Sequence, residues 1–251
     1  MNVEAGLRMN RNTIRVTTVG AALGVAAIFA PAAASAAPGD WVSPTNCAKV
    51  ATPSNPAGWG NTFPDEAGRA GEIVTTTVVD DDGSLEFNTT EELKRKASYH
   101  EAGGLPLAEL VDKKGGDRRL TFQESEGQAN WQIRVTGANT GSGDGFMTLV
   151  WVAPDAAGTY DATDSGQWWA TRPLPNHPNR QDSPGTLEQL LEAANSEGHT
   201  TVINHYGISS DPGNVQPAKV NVDNVSFNGC TTNFKATNDG GGGSLEGILP
   251  F

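Results

Sequence analysis

Two adjacent tryptophans, Trp168 and Trp169, are the residues whose type and spacing most clearly suggest chemistry in this chain. Neighbouring side chains of a strand point to opposite faces, so one indole can enter a core while the other lies on the surface. An exposed indole can stack on the C–H groups of a pyranose while nearby polar groups bind its hydroxyls. The other predicted ligand contacts close to the pair are Tyr160, Asp161, Asp164, Gln167 and Arg172. Packing of both rings, with the outer one covered by the loop at 173–184, is the alternative.

Acidic residues offer a second chemistry, the cleavage of glycosides by a pair of carboxylates. The available residues are Glu124, Glu126, Asp155 and Asp161. Their spacing does not single out one pair. The chain has no Gly-x-Ser-x-Gly motif, and its four histidines lack the spacing of a metal-binding motif. We therefore predict a protein without catalytic residues and keep a glycan-active hydrolase as the alternative.

A run of three aspartates, Asp80-Asp81-Asp82, precedes Gly83 and resembles a fragment of a calcium-binding loop. It lacks the twelve-residue ligand spacing, so an acidic hairpin turn is the simpler interpretation. Asp223 near the end of the chain is also a potential calcium ligand, although an aspartate there commonly accepts turn N–H groups. The prediction is therefore no metal and no cofactor, with a structural calcium as the alternative.

Residues 1–36 have the composition of an export signal. Three arginines precede a run of small and aliphatic residues at 16–33, and Ala34-Ser35-Ala36 suits a signal peptidase. We expect cleavage before Ala37 and an extracellular, secreted product. A membrane anchor is the alternative, but the run is rich in alanine and only marginally long for a span of ~20 strongly apolar residues.

The formal charge of the whole chain is −12, and the predicted leader is itself basic. Nucleic acids and anionic membranes require clustered Lys and Arg, so neither is an expected partner of the mature chain. We expect a soluble monomer whose partner is a polysaccharide or a cell-envelope glycan.

Cys47 and Cys230 are the only cysteines. In an exported protein thiols are oxidised, so we predict a disulfide between them that encloses nearly the whole domain. A shared metal site is the alternative, but neither cysteine has a second cysteine or a histidine beside it.

Short β-branched or alternating runs separated by turn residues predict most of the secondary structure. We predict an irregular lead-in at 37–70, an all-β, jelly-roll-like antiparallel β-sandwich at 71–235 and a glycine-rich tail at 236–251. The predicted strands include 72–79, 120–123, 131–135, 146–152 and 200–206, and the one predicted helix is 186–195.

The closing segment, 220–234, contains two strand-like runs with a change of phase at Asp223-Asn224. This change predicts a bulge. Asn228-Gly229 then predicts a two-residue hairpin turn, because both of its positions favour positive φ.

Three segments carry a resemblance to a known group: 99–107, then 146–151 with Gly166-Gln167-Trp168-Trp169-Ala170-Thr171-Arg172, and Val222-Asp223-Asn224-Val225-Ser226-Phe227-Asn228-Gly229. This order resembles uncharacterised secreted β-sandwich domains of actinobacteria. The closing strand alone is similar to that of jelly-roll carbohydrate-binding modules with a galactose-binding-like fold. Neither resemblance supplies a ligand or a catalytic residue. The β-sandwich interpretation and the Trp168-Trp169 pair together predict a non-catalytic module that binds an extracellular carbohydrate or cell-envelope polymer. A structural or protein-interaction surface module is the alternative.

Overall fold

The computed structural model describes residues 49–112, 119–125, 128–210 and 218–236. The predicted leader, Cys47, Glu126 and residues 237–251 lie outside the described residues, so the expectations for them stay predictions.

Strands dominate the described residues. They are β1 (Val50–Ala51), β2 (Glu72–Val74), β3 (Ser84–Asn88), β4 (Lys96–Pro106), β5 (Leu120–Glu124), β6 (Ala129–Thr136), β7 (Met147–Val152), β8 (Gly158–Asp161), β9 (Trp169–Ala170), β10 (Val202–Ser210), β11 (Lys219–Phe227) and β12 (Cys230–Phe234). The two α-helices are α1 (Leu107–Asp112) and α2 (Leu187–Ala194).

The strands form two sheets. One has the order β4-β10-β6-β7-β9 and is antiparallel throughout. The other has the order β1-β12-β11-β3-β2, with β5 paired to β11 and β8 paired to β5. The chain passes repeatedly from one sheet to the other, so most neighbours in a sheet are distant in sequence.

The core lies between the two sheets. Alternation along β6 turns Trp131, Ile133 and Val135 inward, and all three are fully buried. Tyr206 of β10 stacks on Phe227 of β11 with ring centroids 4.0 Å apart, which joins the two sheets directly. The predicted all-β sandwich is therefore confirmed.

The helices agree with the sequence in one case only. The side chain of Thr186 accepts from Gln189 N at 3.3 Å, and Gln189 Oε1 accepts from Thr186 N at 2.9 Å, so a capping box begins α2. The structure adds a second short helix, α1, that the sequence pattern does not predict. This helix begins directly after Pro106. The proline suggests a break in the sequence pattern, so the short helical run with a buried face that follows it is hard to recognise. No helix in the described parts of the chain is long and apolar enough to cross a membrane.

The closing segment has the predicted form. The register of β11 against β5 shifts between Asp223 and Ser226, and Asn224 has a φ of 49°. Asn228 and Gly229 both have positive φ between the paired residues Phe227 and Cys230. The predicted strand 72–79 is shorter, because β3 starts at Ser84 opposite Val74 and the intervening residues form the connection.

The described part of the lead-in packs against the sandwich. Trp59 belongs to the core, and its Nε1 donates to Thr232 Oγ1 at 3.2 Å. The lead-in also contains a 3₁₀ turn, Pro64–Glu66, that reaches the face described next.

Candidate functional site

The two adjacent tryptophans lie on opposite faces of the five-stranded sheet, as predicted. Trp168 is fully buried, and its Nε1 donates to the carbonyl oxygen of Ala162 at 2.8 Å. The prediction that Trp168 contacts a ligand is therefore wrong, because the enclosed ring is part of the core. Trp169 pairs with Val150 and is half-buried on the outer face.

A cavity of about 570 Å³ lies on this outer face, and we call it the outer groove. Its floor consists of the outward-facing side chains of the neighbouring strands β6 and β7. Trp169 lies on the β9 side, and the 3₁₀ turn supplies Asp65 and Glu66 on the other side. The floor residues used below are Asn130, Gln132, Arg134, Thr148 and Val150.

One row of residues crosses all five strands beneath the groove. It runs Tyr99, Gly207, Gln132, Val150 and Trp169, each paired with the next. Aromatic residues therefore stand at both ends of the row. A Cβ on Gly207 would collide with the carbonyl oxygen of Ser98, so the close approach of β10 to β4 requires glycine in the row.

The charges of the groove balance one another. Glu66 Oε1 lies 2.9 Å from Arg95 Nη1 and 3.5 Å from Arg134 Nη1. Burial alone would raise the pKa of Glu66, but the hydrogen bond from Asn61 and the two arginine charges outweigh it and lower that pKa. The guanidinium of Arg134 also lies over the ring of Phe63, 3.6 Å from its centroid.

The floor carries an amide oxygen that the described residues leave without a partner. Asn130 is only 3% exposed, and its Oδ1 has no hydrogen-bond partner among the described residues. Gln132, which is 7% exposed, supplies a second amide to the groove floor. A buried polar group without a partner costs about 1–3 kcal/mol, so a ligand that supplies hydrogen bonds here removes a penalty.

The other predicted ligand residues do not line the outer groove with Trp169. Tyr160 and Asp161 belong to β8 in the opposite sheet. The hydroxyl of Tyr160 donates to Ala156 O at 2.6 Å, and Asp161 Oδ1 accepts from Thr163 N at 2.9 Å. The three remaining residues are exposed at positions outside the groove lining, namely Asp164, Gln167 and Arg172.

Sequence reasoning missed the floor of the groove, although it recognised the alternation of β6. The sequence signal for the floor lies in the outward positions of β6, Asn130, Gln132 and Arg134. These positions alternate with core residues and carry two amides and a guanidinium. Polar side chains on the outer face of a strand ordinarily contact only solvent. Here the turn that carries Glu66 covers part of this face, and Glu66 lies 68 residues before its partner Arg134 in the sequence.

A second group of polar residues lies at the other sheet. Carboxylate oxygens of Asp80, Asp82 and Asp223 all lie within 4.8 Å of one another, and we call these three residues the acidic cluster. Asp223 is fully buried, and its Oδ1 accepts from Asn224 N at 2.7 Å and from Phe234 N at 2.9 Å. Burial, together with the nearby Asp80, raises the pKa of Asp223 to about 7 despite these two hydrogen bonds.

Glu124, one of the acidic residues considered for glycoside cleavage, is 2% exposed. Its Oε2 accepts from Ala129 N at 3.0 Å. Burial raises the pKa of Glu124 to about 8, and the charge of Asp155 adds to this effect. Neither residue lines the outer groove.

No protein-family model matches the chain, and no curated protein or solved structure matches it.

Proposed function

We propose that the domain is a non-catalytic binding module for a carbohydrate or a cell-envelope polymer, and that the outer groove holds the ligand. The observation that carries this proposal is the combination of a half-buried indole, Trp169, with the amides of Asn130 and Gln132 on the same groove floor, where Asn130 Oδ1 is buried without a hydrogen-bond partner among the described residues. A sugar ring presents both an apolar face and several hydroxyls, so it complements both features of the groove.

The charges favour a neutral ligand over an anionic one. Arg95 and Arg134 already share Glu66, and Asp65 also lines the groove. An acidic sugar would have to displace Glu66 from two guanidinium groups, whereas a neutral sugar leaves these ion pairs intact. The preferred ligand class is therefore a neutral, hydroxyl-rich polymer.

The protein-interaction alternative receives less support. It requires a contiguous apolar patch of several hundred Å². The large hydrophobic residues exposed in the described ranges are Val50, Val79 and Val152. Two of these lie on strands of different sheets and the third in a connection, so they do not form one patch on a single element.

Binding to a glycan array and to insoluble cellulose, chitin, xylan and peptidoglycan tests the proposal. We expect the full chain to bind at least one neutral glycan and Trp169→Ala to bind at least tenfold more weakly, which corresponds to about 1.4 kcal/mol. Gln132→Leu should weaken binding as well, because it removes the amide and preserves the apolar stem.

Arg172→Ala is the matched control, since it removes an exposed residue three positions from Trp169 that lies outside the groove lining. It should bind like the wild type. The proposal would be contradicted if protein shown to be folded by circular dichroism bound none of these glycans. Equal losses of binding affinity in the Trp169 and Arg172 variants would also contradict it.

A further inference from the structure

Two distant parts of the chain meet in the acidic cluster. Asp80 and Asp82 belong to the connection before β3, whereas Asp223 lies at the bulge of β11. The sequence offered each part separately as a weak calcium ligand, and an ordinary turn was the simpler interpretation of both. The fold brings their carboxylate oxygens close enough together to contact one ion.

The cluster contains oxygen atoms that have no hydrogen-bond partner among the residues that the structure describes. Asp223 is fully buried, its Oδ1 is occupied by two backbone N–H groups, and its Oδ2 has no hydrogen-bond partner among the described residues. Asp82 Oδ1 is also buried without a partner in the described ranges. Buried carboxylate oxygens are normally hydrogen-bonded or bound to a cation, so these atoms point to a ligand.

A fourth oxygen lies beside the three carboxylates. Asn233 of β12 donates from Nδ2 to Asp82 Oδ2 at 3.1 Å, and its own Oδ1 is buried without a partner in the described part of the chain. The ligand atoms on offer are therefore all oxygens, which hard divalent cations prefer.

The charge of the cluster also calls for a divalent ion. Lys235 Nζ lies 4.0 Å from Asp82 Oδ2, so among the described residues one ammonium group faces three carboxylates. Within that part of the chain, the remaining formal charge is that of two carboxylates. A bound Ca²⁺ would neutralise it.

We propose that the acidic cluster binds Ca²⁺ and that this ion fastens the loop containing Asp80 and Asp82 to strands β11 and β12. Two oxygens on one Ca²⁺ are separated by at most about 5 Å, and the carboxylate oxygens of the cluster lie within that limit. Mg²⁺ demands a shorter, near-octahedral arrangement and suits ligands from three separate segments less well. This proposal is independent of the outer groove.

Thermal unfolding of the full chain tests the proposal. The protein is first stripped of bound metal with EDTA, and its Tm in 10 mM CaCl₂ is then compared with its Tm in NaCl of equal ionic strength. We expect Ca²⁺ to raise Tm by about 5 °C, as a ligand that binds only the folded state should. Isothermal titration should give a Kd of about 1 mM or tighter with one ion per chain. A larger response to Mg²⁺ than to Ca²⁺ would contradict the calcium assignment.

Asp80→Asn and Asp81→Asn form a matched pair, because both remove one charge from exposed residues of the same loop. Asp81 is outside the cluster and has a φ of 58°, which asparagine tolerates. Asp80→Asn should abolish the Ca²⁺ shift and Asp81→Asn should retain it. Asp223→Asn keeps the Oδ1 acceptor and should also abolish the shift. Equal shifts in the two loop variants, or no heat and no shift in the wild type, would overturn the proposal.

Discussion

The outer groove and the acidic cluster both place carboxylates below the surface, but their surroundings are opposite. Glu66 in the groove faces Arg95 and Arg134, and its pKa is lowered. Asp223 in the cluster is near two other aspartates, and its pKa is raised. The chain itself completes the electrostatics of the groove, whereas it leaves a surplus of negative charge in the cluster. This difference is why we propose a neutral ligand for the first region and a cation for the second.

The largest expected effect on stability concerns Cys230, the first residue of β12. The same strand contains Asn233, which lies beside the acidic cluster. The disulfide to Cys47 stays a prediction. The paired residues Val50 and Asn233 of β1 and β12 have the same separation in sequence as the two cysteines. The free energy of unfolding should fall by about 3–5 kcal/mol on reduction, measured by urea unfolding.

Reduction should weaken the response of the acidic cluster to Ca²⁺ more than ligand binding in the groove, since the groove lies on the other sheet. A double variant, Cys47→Ser with Cys230→Ser, should behave like the reduced protein and be insensitive to reductant. Detection of two thiols per chain in denatured, unreduced protein would show that the bond does not form.

The second effect is the stability of Asp223→Asn in EDTA. The folded-state pKa of Asp223 is about 7 and the ordinary value is 3.8, so the folded state binds the proton more tightly. Stability is therefore lost as pH rises from about 4 to 7, and neutralising the residue prevents this loss. We expect Asp223→Asn to match the wild type at pH 4 and to exceed it by about 1–2 kcal/mol at pH 8. Urea midpoints at the two pH values measure this, and a less stable variant at pH 8 would contradict it.

The smallest effect is expected at Glu66, with the opposite sign. The folded-state pKa of Glu66 lies below the ordinary value of 4.5. The ionised carboxylate therefore contributes to the free energy of unfolding above pH 4.5, and this contribution disappears as pH falls through the folded-state pKa. Glu66→Gln should lower the free energy of unfolding by about 1 kcal/mol at pH 7 and less at pH 3. The control is Asp65→Asn, an exposed residue in the same turn. Equal stabilities of these two variants would show that the ion pairs of Glu66 contribute nothing.

Much of the fold follows from local patterns in the sequence. Alternation identified β5 and β6, and the Asn228-Gly229 turn and the capping box of α2 depend only on neighbouring residues. The short strand β8 and the helix α1 were missed, because burial of α1 depends on contacts that the run after Pro106 does not display. Tertiary pairing also shortened β2, since Ser84 begins its partner strand.

The sites were harder to predict because both are assembled from distant segments. The sequence correctly separated the faces of Trp168 and Trp169, but it grouped Trp169 with residues adjacent in sequence such as Arg172. The actual neighbours of Trp169 across the sheet, Val150 and Gln132, depend on the strand order. The meeting of Asp80 with Asp223 likewise depends on the pairing of β3 with β11.

The most direct test of the binding proposal is a titration of ¹⁵N-labelled protein with a soluble fragment of the bound glycan, followed by NMR. The side-chain signals of Trp168 and Trp169 provide an internal comparison, since the first indole is buried and the second lies in the groove. We predict that the indole signal of Trp169 and the amide signals of Asn130 and Gln132 shift with one common Kd, while the indole signal of Trp168 stays in place. Saturable shifts confined to Gln167 and Arg172, with Trp169 unchanged, would contradict the account.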